Sequence, residues 1–157
     1  MYKEKVEKNI ECGYFSGQIP VNYVYTLGIA GDEFFRTIKE KGYFIASKCS
    51  CGKKYIPAQM YCDECFGECK EYVKVGIEGE VYSYTECYYD YRGNRYEEPH
   101  ILGLIKFKDC EGGLIHRLNV EKQDLKIGLK VEAVFKPPKQ REGCIEDILY
   151  FKKVDVK

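Results

Sequence analysis

Four cysteines in two tight pairs constrain this chain most: in KCSCGKKYIPAQMYCDECFG, Cys49 and Cys51 precede Cys62 and Cys65 across a stretch containing Pro57. So short a segment cannot build a hydrophobic core. Two turns that each present a cysteine pair instead supply four soft sulfur ligands, at about 2.3 Å, for one tetrahedral zinc ion. The expected cofactor is one structural zinc per chain. With all four positions filled by protein, no coordination site remains to activate water or polarise a carbonyl. The first pair is Cys-x-Cys followed by Gly52, one residue tighter than a usual knuckle, and Cys69 stands close enough in sequence to substitute as a ligand. A redox role for Cys62 and Cys65 fits less well, because the strand and helix order of a thioredoxin-like unit does not surround them.

The chain has nine cysteines in all, an odd count, and no export signal precedes them. A reducing cytosol with a bound metal is therefore expected over an oxidised secreted scaffold, and the expected localisation is cytoplasmic. Cys12, Cys87, Cys110 and Cys144 have no paired spacing and read as small reduced side chains. Lys and Arg number 25, and so do Asp and Glu, so no global charge draws the chain to nucleic acid or anionic lipid. Nowhere do roughly 18 apolar residues follow one another as a membrane span requires. At 157 residues there is room for one ordinary domain or two small modules sharing an interface.

The pattern divides into three parts, residues 1–42, 43–75 and 76–157. The first opens with an irregular, largely extended arm made sticky by Tyr14, Phe15, Tyr23 and Tyr25. It wraps either its own domain or a partner. GDEFFRTIKEKG then reads as a short amphipathic helix with Phe34, Phe35 and Ile38 on one face. Asp32 and Glu33 fall in its first turn, Lys39 and Lys41 in its last, and Gly42 ends it. Phe34 and Phe35 pack on the cysteine module or face a partner; both readings stand open, and Tyr23 and Tyr25 join them as candidate partner contacts. From about Ile77 onward five short strands separated by turn signals predict a small barrel. They lie in EGEVYSYTECYYDY, HILGLIKFK, LIHRLNV, LKVEAVFK and CIEDILYFKKV. Ile101, Ile105 and Phe107 share one face, as do Val131, Ala133 and Phe135, which demands one buried side. A polar helical turn is expected around EKQDLKIG, and Gly103 and Gly128 lie where a coiled sheet needs a kink or close approach.

In this order the segments GIAGDEFFRTIKEKGYF, CSCG and CDEC around Pro57, EPHILGLIKF, DLKIGLKVEAVF and GCIEDILYF resemble a known family. These are the small zinc-ribbon and OB-fold proteins catalogued as domain of unknown function thirty-five, and the match covers most of the chain. The resemblance implies a mainly β fold: arm and short helix, rubredoxin-like zinc ribbon, and C-terminal five-stranded OB-fold barrel. It also implies a non-catalytic accessory subunit of acyl-CoA enzymes. Some members bridge an acetoacetyl-CoA thiolase and a hydroxymethylglutaryl-CoA synthase, and others accompany degradative thiolases such as benzylsuccinyl-CoA thiolase. The metal ligands carried over are Cys49, Cys51, Cys62 and Cys65. Contact with coenzyme A at the shared interface would want cations, and KPPKQREG offers Lys136, Lys139 and Arg141, although ordinary solvated loop charge is the reading favoured there.

Two other function classes are open to such a chain. An OB barrel can bind single-stranded nucleic acid, and Tyr82, Tyr84, Tyr88, Tyr89, Tyr91 and Tyr96 lie beside Arg92 and Arg95. Glu86, Asp90, Glu97 and Glu98 cancel those arginines, so a packed hairpin face or protein interface is expected instead. An independent enzyme would need a nucleophile and base, and His100 and His116 are the only histidines. A Cys110 and His116 dyad has no geometry set by its spacing, and no catalytic residue is assigned.

Overall fold

The protein is represented by a computed structural model that describes Gly17 and residues 26–154. Tyr14, Phe15, Tyr23 and Tyr25 of the arm lie outside these residues. Helix α1 spans Gly28–Lys41 and ends where Gly42 turns left-handed, φ 67° and ψ 39°, its N–H reaching the carbonyls of Ile38 and Thr37. The start differs from the sequence expectation. Leu27 caps without a side-chain hydrogen bond and the helix begins three residues before Gly31, so Asp32 and Glu33 fall beyond the first turn. Asp32 instead pairs with Arg36 one turn on.

Strands β1 (Phe44–Lys48), β2 (Lys54–Ile56) and β3 (Glu71–Gly76) form a ribbon sheet in the order β3-β1-β2. Strands β4 (Glu78–Tyr89), β5 (Arg95–Lys106), β7 (Leu114–Asn119), β8 (Lys130–Phe135) and β9 (Ile148–Lys153) close a barrel in the order β4-β5-β7-β9-β8. These are the five predicted strands. The third and fifth run parallel and the rest antiparallel, an OB-fold arrangement. Closure is uneven, since β7 meets β9 over two register pairs and β4 meets β5 over eight. Between β5 and β7, β6 (Glu111–Gly112) leaves the barrel to pair parallel with β2, which ties ribbon to barrel. Its backbone comes so near that a Cβ on Gly112 would lie 2.4 Å from the Ile56 carbonyl oxygen. At Gly103, a Cβ would meet Leu118 Cδ1 at 2.6 Å, the close approach expected there. The EKQDLKIG stretch forms turns rather than a helix, with Asp124 N–H donating to Glu121 at 2.9 Å.

One apolar cluster runs through all three parts, and Phe44 of β1 is its hub. Its ring stacks on Phe34 of α1 at 6.1 Å and on Phe151 of β9 at 6.1 Å, and meets Phe107 and Phe135 at 5.3 Å each. Burial of such a ring stabilises by about 2–3 kcal/mol before the packing of aromatic edges is counted. Ile101, Ile105, Phe107, Val131 and Ala133 face inward as the alternation predicts. Phe34, only 1% exposed, belongs to this core and has no surface left for a partner; Phe35 is half-buried, edge-on to Phe34 at 5.3 Å.

Candidate metal centre and the surface around it

The sulfur atoms of Cys49, Cys51, Cys62 and Cys65 all lie within 4.8 Å of one another. Cys49 and Cys65 are 3.4 Å apart and Cys51 and Cys62 3.6 Å, too far for disulfides and close to the roughly 3.8 Å edge of a tetrahedron with 2.3 Å metal–sulfur bonds. The two pairs come together because two loops close with matching backbone bonds. Cys49 N–H donates to Lys53 and Gly52 N–H to Cys49, both at 2.9 Å; Cys62 N–H donates to Gly67 at 2.9 Å and Phe66 N–H to Cys62 at 3.0 Å. The Cys-x-Cys pair is thus a knuckle shortened by one residue, not a strained substitute. In each loop the residue after the second cysteine has positive φ: Gly52 at 95° and Phe66 at 56°.

The donor set suits a divalent cation. Backbone N–H groups aim at the sulfurs, and the Tyr55 hydroxyl, which accepts from Asp63 N–H, lies 3.1 Å from Cys62 Sγ. The Cys62 thiol is brought down to about 6 by the N–H of Cys65 and then by Tyr55, and Cys49 is lowered by the N–H of Cys51 and then by Cys65. At Cys65 the N–H of Gly67 lowers, but contacts with Cys49 and Cys62 prevail and push the thiol up to about 12. Cys51 is raised likewise, the N–H of Lys53 being outweighed by Cys49 and burial. Two sulfurs ionise readily and two resist, because four thiolates repel unless a cation sits among them. Cys69 falls outside the four-sulfur group. It is buried beside Cys49, Tyr55 and Cys62, and desolvation raises its thiol.

Around the knuckles the surface is apolar: Phe66 is 80% exposed, Ile29 71% and Tyr61 58%. A second apolar area lies on β4 and the following turn, where Tyr82, Tyr84, Tyr88, Tyr89 and Tyr91 are exposed. Glu86 there accepts from Tyr88 and pairs with Lys122 at 2.6 Å, and Asp90 is spent on the turn N–H groups of Arg92 and Asn94. Cations stand over three of these rings, Lys106 over Tyr82 at 4.5 Å, Arg92 over Tyr91 at 5.2 Å and Lys122 over Tyr88 at 5.8 Å. Lysines also line two clefts of about 390 and 400 Å³, the first reaching Tyr82, through Lys54, Lys74, Lys106, Lys108 and Lys130, but Glu78, Glu80 and Asp109 share those clefts.

The other candidate residues are dispersed. Arg141 donates to the Lys136 carbonyl at 2.7 Å, reaches the Ile38 carbonyl at the end of α1 at 3.4 Å, and lies over the Phe135 ring. It is a structural clamp rather than a free loop cation. Lys136 is half-buried and Lys139 exposed. His116 turns onto Phe151, ring centroids 6.0 Å apart, and burial lowers its pKa; Cys110 faces the ribbon seam near Lys54. No hydrogen bond joins them, and His100 packs on Tyr96. Sequence reasoning missed Asp147, which is fully buried and accepts from the N–H groups of Glu142, Gly143 and Cys144 at 2.7–3.3 Å. An acid closing a Gly-containing loop was the available signal.

Among solved structures, a protein of unknown function from the DUF35 family of Sulfolobus solfataricus is 33% identical. Its TM-score is 0.65, with 81% of this chain and 87% of that one covered. The chain belongs to the DUF35 family. Residues 72–136 match the family model described as the ChsH2 C-terminal OB-fold domain. Two curated relatives are DUF35 domain-containing scaffold proteins. The one from Methanocaldococcus jannaschii is 29% identical over 68% of this chain and 77% of its own length; the one from Pyrococcus furiosus is 27% identical over 64% and 74%. The DUF35 fold is shared with a solved structure named Ltp2-ChsH2(DUF35) aldolase, at TM-score 0.55 and 22% identity over 77% of this chain and 91% of that one. No helix among the described residues is long and apolar enough to cross a membrane.

Proposed function

We propose that this DUF35 chain is a non-catalytic accessory subunit that docks onto a thiolase-type acyl-CoA enzyme, with one structural zinc ion held by Cys49, Cys51, Cys62 and Cys65. The observation that carries the reading is a four-sulfur cluster, enough to fill a tetrahedral ion, in loops that also carry exposed Phe66 and Tyr61. Such a cluster orders a surface and leaves no position for substrate. The name scaffold borne by the curated relatives supports an assembling role, and the aldolase with a DUF35 component supports an enzyme as the partner. Partner classes implied by the family resemblance are an acetoacetyl-CoA thiolase with a hydroxymethylglutaryl-CoA synthase, or a degradative thiolase such as benzylsuccinyl-CoA thiolase. The partner then supplies the catalytic groups and binds the coenzyme A thioester. The nucleic-acid alternative is disfavoured because acids share the two lysine clefts and Glu86 holds Lys122 at the tyrosine hairpin.

The test is a pull-down of the tagged protein from its native cell with mass spectrometry, followed by co-expression with the enzyme recovered. Co-purification, and loss of solubility or activity of that enzyme without this chain, are expected. Elution of the chain alone, or acyl transfer by it unaided, would sink the proposal.

A further inference from the structure

The two knuckles close with corresponding backbone bonds but differ in length and in the residue that turns left-handed. After Cys51 the left-handed residue is Gly52, the residue type that takes φ 95° without steric cost, whereas after Cys65 it is Phe66 at φ 56°. The glycine of the second loop stands one place later, where a Cβ would press against Cys65 Sγ at 3.3 Å and Cys49 Sγ at 3.7 Å. Phe66 is thus unfavourable to the free chain twice over, in its backbone and in its 80% exposed ring. A residue so placed calls for a contact from outside the described residues. Tyr61 is exposed on the same loop, paired across it with Glu68, and Ile29 lines a cleft of about 210 Å³ with Met60, Glu68, Lys70 and Tyr72.

The charge around this apolar tip is one-sided. Lys53 is shared by Glu64 and Glu111 and Lys70 pairs with Glu68, which leaves Asp63 balanced by no cation among the described residues. On the flank, Asp32 and Glu33 share the single Arg36. The rim therefore carries a net negative charge, and a complementary surface carries Lys or Arg.

We infer that Phe66 is the docking anchor of the accessory subunit, inserted into an apolar pocket with a basic rim on the partner enzyme, with Tyr61 and Ile29 sealing the contact. This rests on the accessory reading above and adds which face meets the partner. An aromatic anchor in a desolvated pocket carries far more binding energy than the residues around it. Because its backbone is set by the Cys62–Cys65 loop, docking is coupled to the metal centre.

Two variants of the full, metal-loaded chain separate strain from contact. Phe66→Gly removes the ring and relieves the backbone, while Phe66→Ala removes the ring and keeps the strain. Capture of the co-expressed thiolase-type enzyme is expected to weaken about tenfold or more in both. Metal content should stay unchanged, and the melting temperature of the free chain should rise by ~2 °C in Phe66→Gly and not in Phe66→Ala. If wild type captures the enzyme and the variants capture it within twofold, the anchor is overturned and the accessory reading stands. Failure of wild type to capture it overturns both. An unchanged or lower melting temperature in Phe66→Gly overturns the premise that the free chain bears this residue at a loss.

Discussion

The barrel buries Val81, Ile105, Leu118, Val131, Ile148 and Phe151 behind five strands, whereas the small cluster at the tip of the ribbon consists of Cys49, Tyr55, Cys62 and Cys69. In the barrel, apolar area removed from water drives folding. The ribbon tip has no such reserve and depends on what binds its four sulfurs. Phe44 joins the two, since it stands on a ribbon strand and fills the space between helix and barrel. The base of the ribbon is therefore fixed by the barrel, while its tip, on the proposed zinc site, would be fixed by metal. A docking surface placed on that tip is one that metal loading can order or release.

The largest expected effect separates tip from barrel. Structural zinc contributes about 10–16 kcal/mol in isolated finger peptides, so stripping it, or a Cys62→Ala and Cys65→Ala double substitution, should abolish amide protection in the two knuckles, residues 49–53 and 60–69, but not in β2. Protection in β4, β5, β7, β8 and β9 should remain, and hydrogen exchange with mass spectrometry reads both. Tip amides that stay protected without metal would show that the sulfurs are ornament.

Phe44→Ala should do the reverse and erase the distinction. Loss of the ring leaves a cavity bordered by Phe34, Phe107, Phe135 and Phe151 and costs about 3–5 kcal/mol, felt by ribbon base and barrel in one denaturant transition. A cost under about 1 kcal/mol, or two separate transitions, would break the proposed coupling.

Asp147 tests the barrel side alone. Burial raises its pKa, but the N–H groups of Glu142, Gly143 and Cys144 outweigh that and hold it below the ordinary carboxylate value. Its stabilisation is then present above the unfolded value, near 4, and lost as pH falls through the lower folded value. Asp147→Asn should cost about 1–3 kcal/mol at neutral pH and flatten the acid limb of the denaturation profile, while metal content stays the same. An unaltered acid limb would contradict the assignment.

His116 gives the smallest effect. Burial lowers its pKa, so stability is undiminished above the unfolded value near 6.5 and declines as pH drops through the folded value. His116→Leu should remove that slope for barrel amides, and an identical slope in the variant would place its origin elsewhere.

What could be read from sequence follows the same division. The cysteine site was legible because ligand chemistry is written in spacing, and the five barrel strands because alternation shows a buried face. The start of α1 was not, since Leu27 offers no cap and Gly28 and Gly31 look like loop residues. Phe34 and Phe35 are neighbours on a helix, and which one faces inward depends on where β1 lies. β6 is two residues long and exists because β2 is beside it. Arg141 looked like a free loop cation because its acceptor, Ile38, is 103 residues away. The strain at Phe66 was hidden for a similar reason, since the identity of the two knuckles emerges from backbone bonds and not from their unequal spacing.

The most direct measurement combines metal content and partner capture on one sample: elemental analysis of the co-purified complex, then size-exclusion chromatography before and after chelation. One zinc per chain is predicted, with co-elution of the thiolase-type enzyme that is lost on chelation while the released chain keeps its protected barrel and shows no thiolysis. Co-elution indifferent to chelation, or thiolysis by the isolated chain, would contradict a metal-ordered, non-catalytic docking subunit.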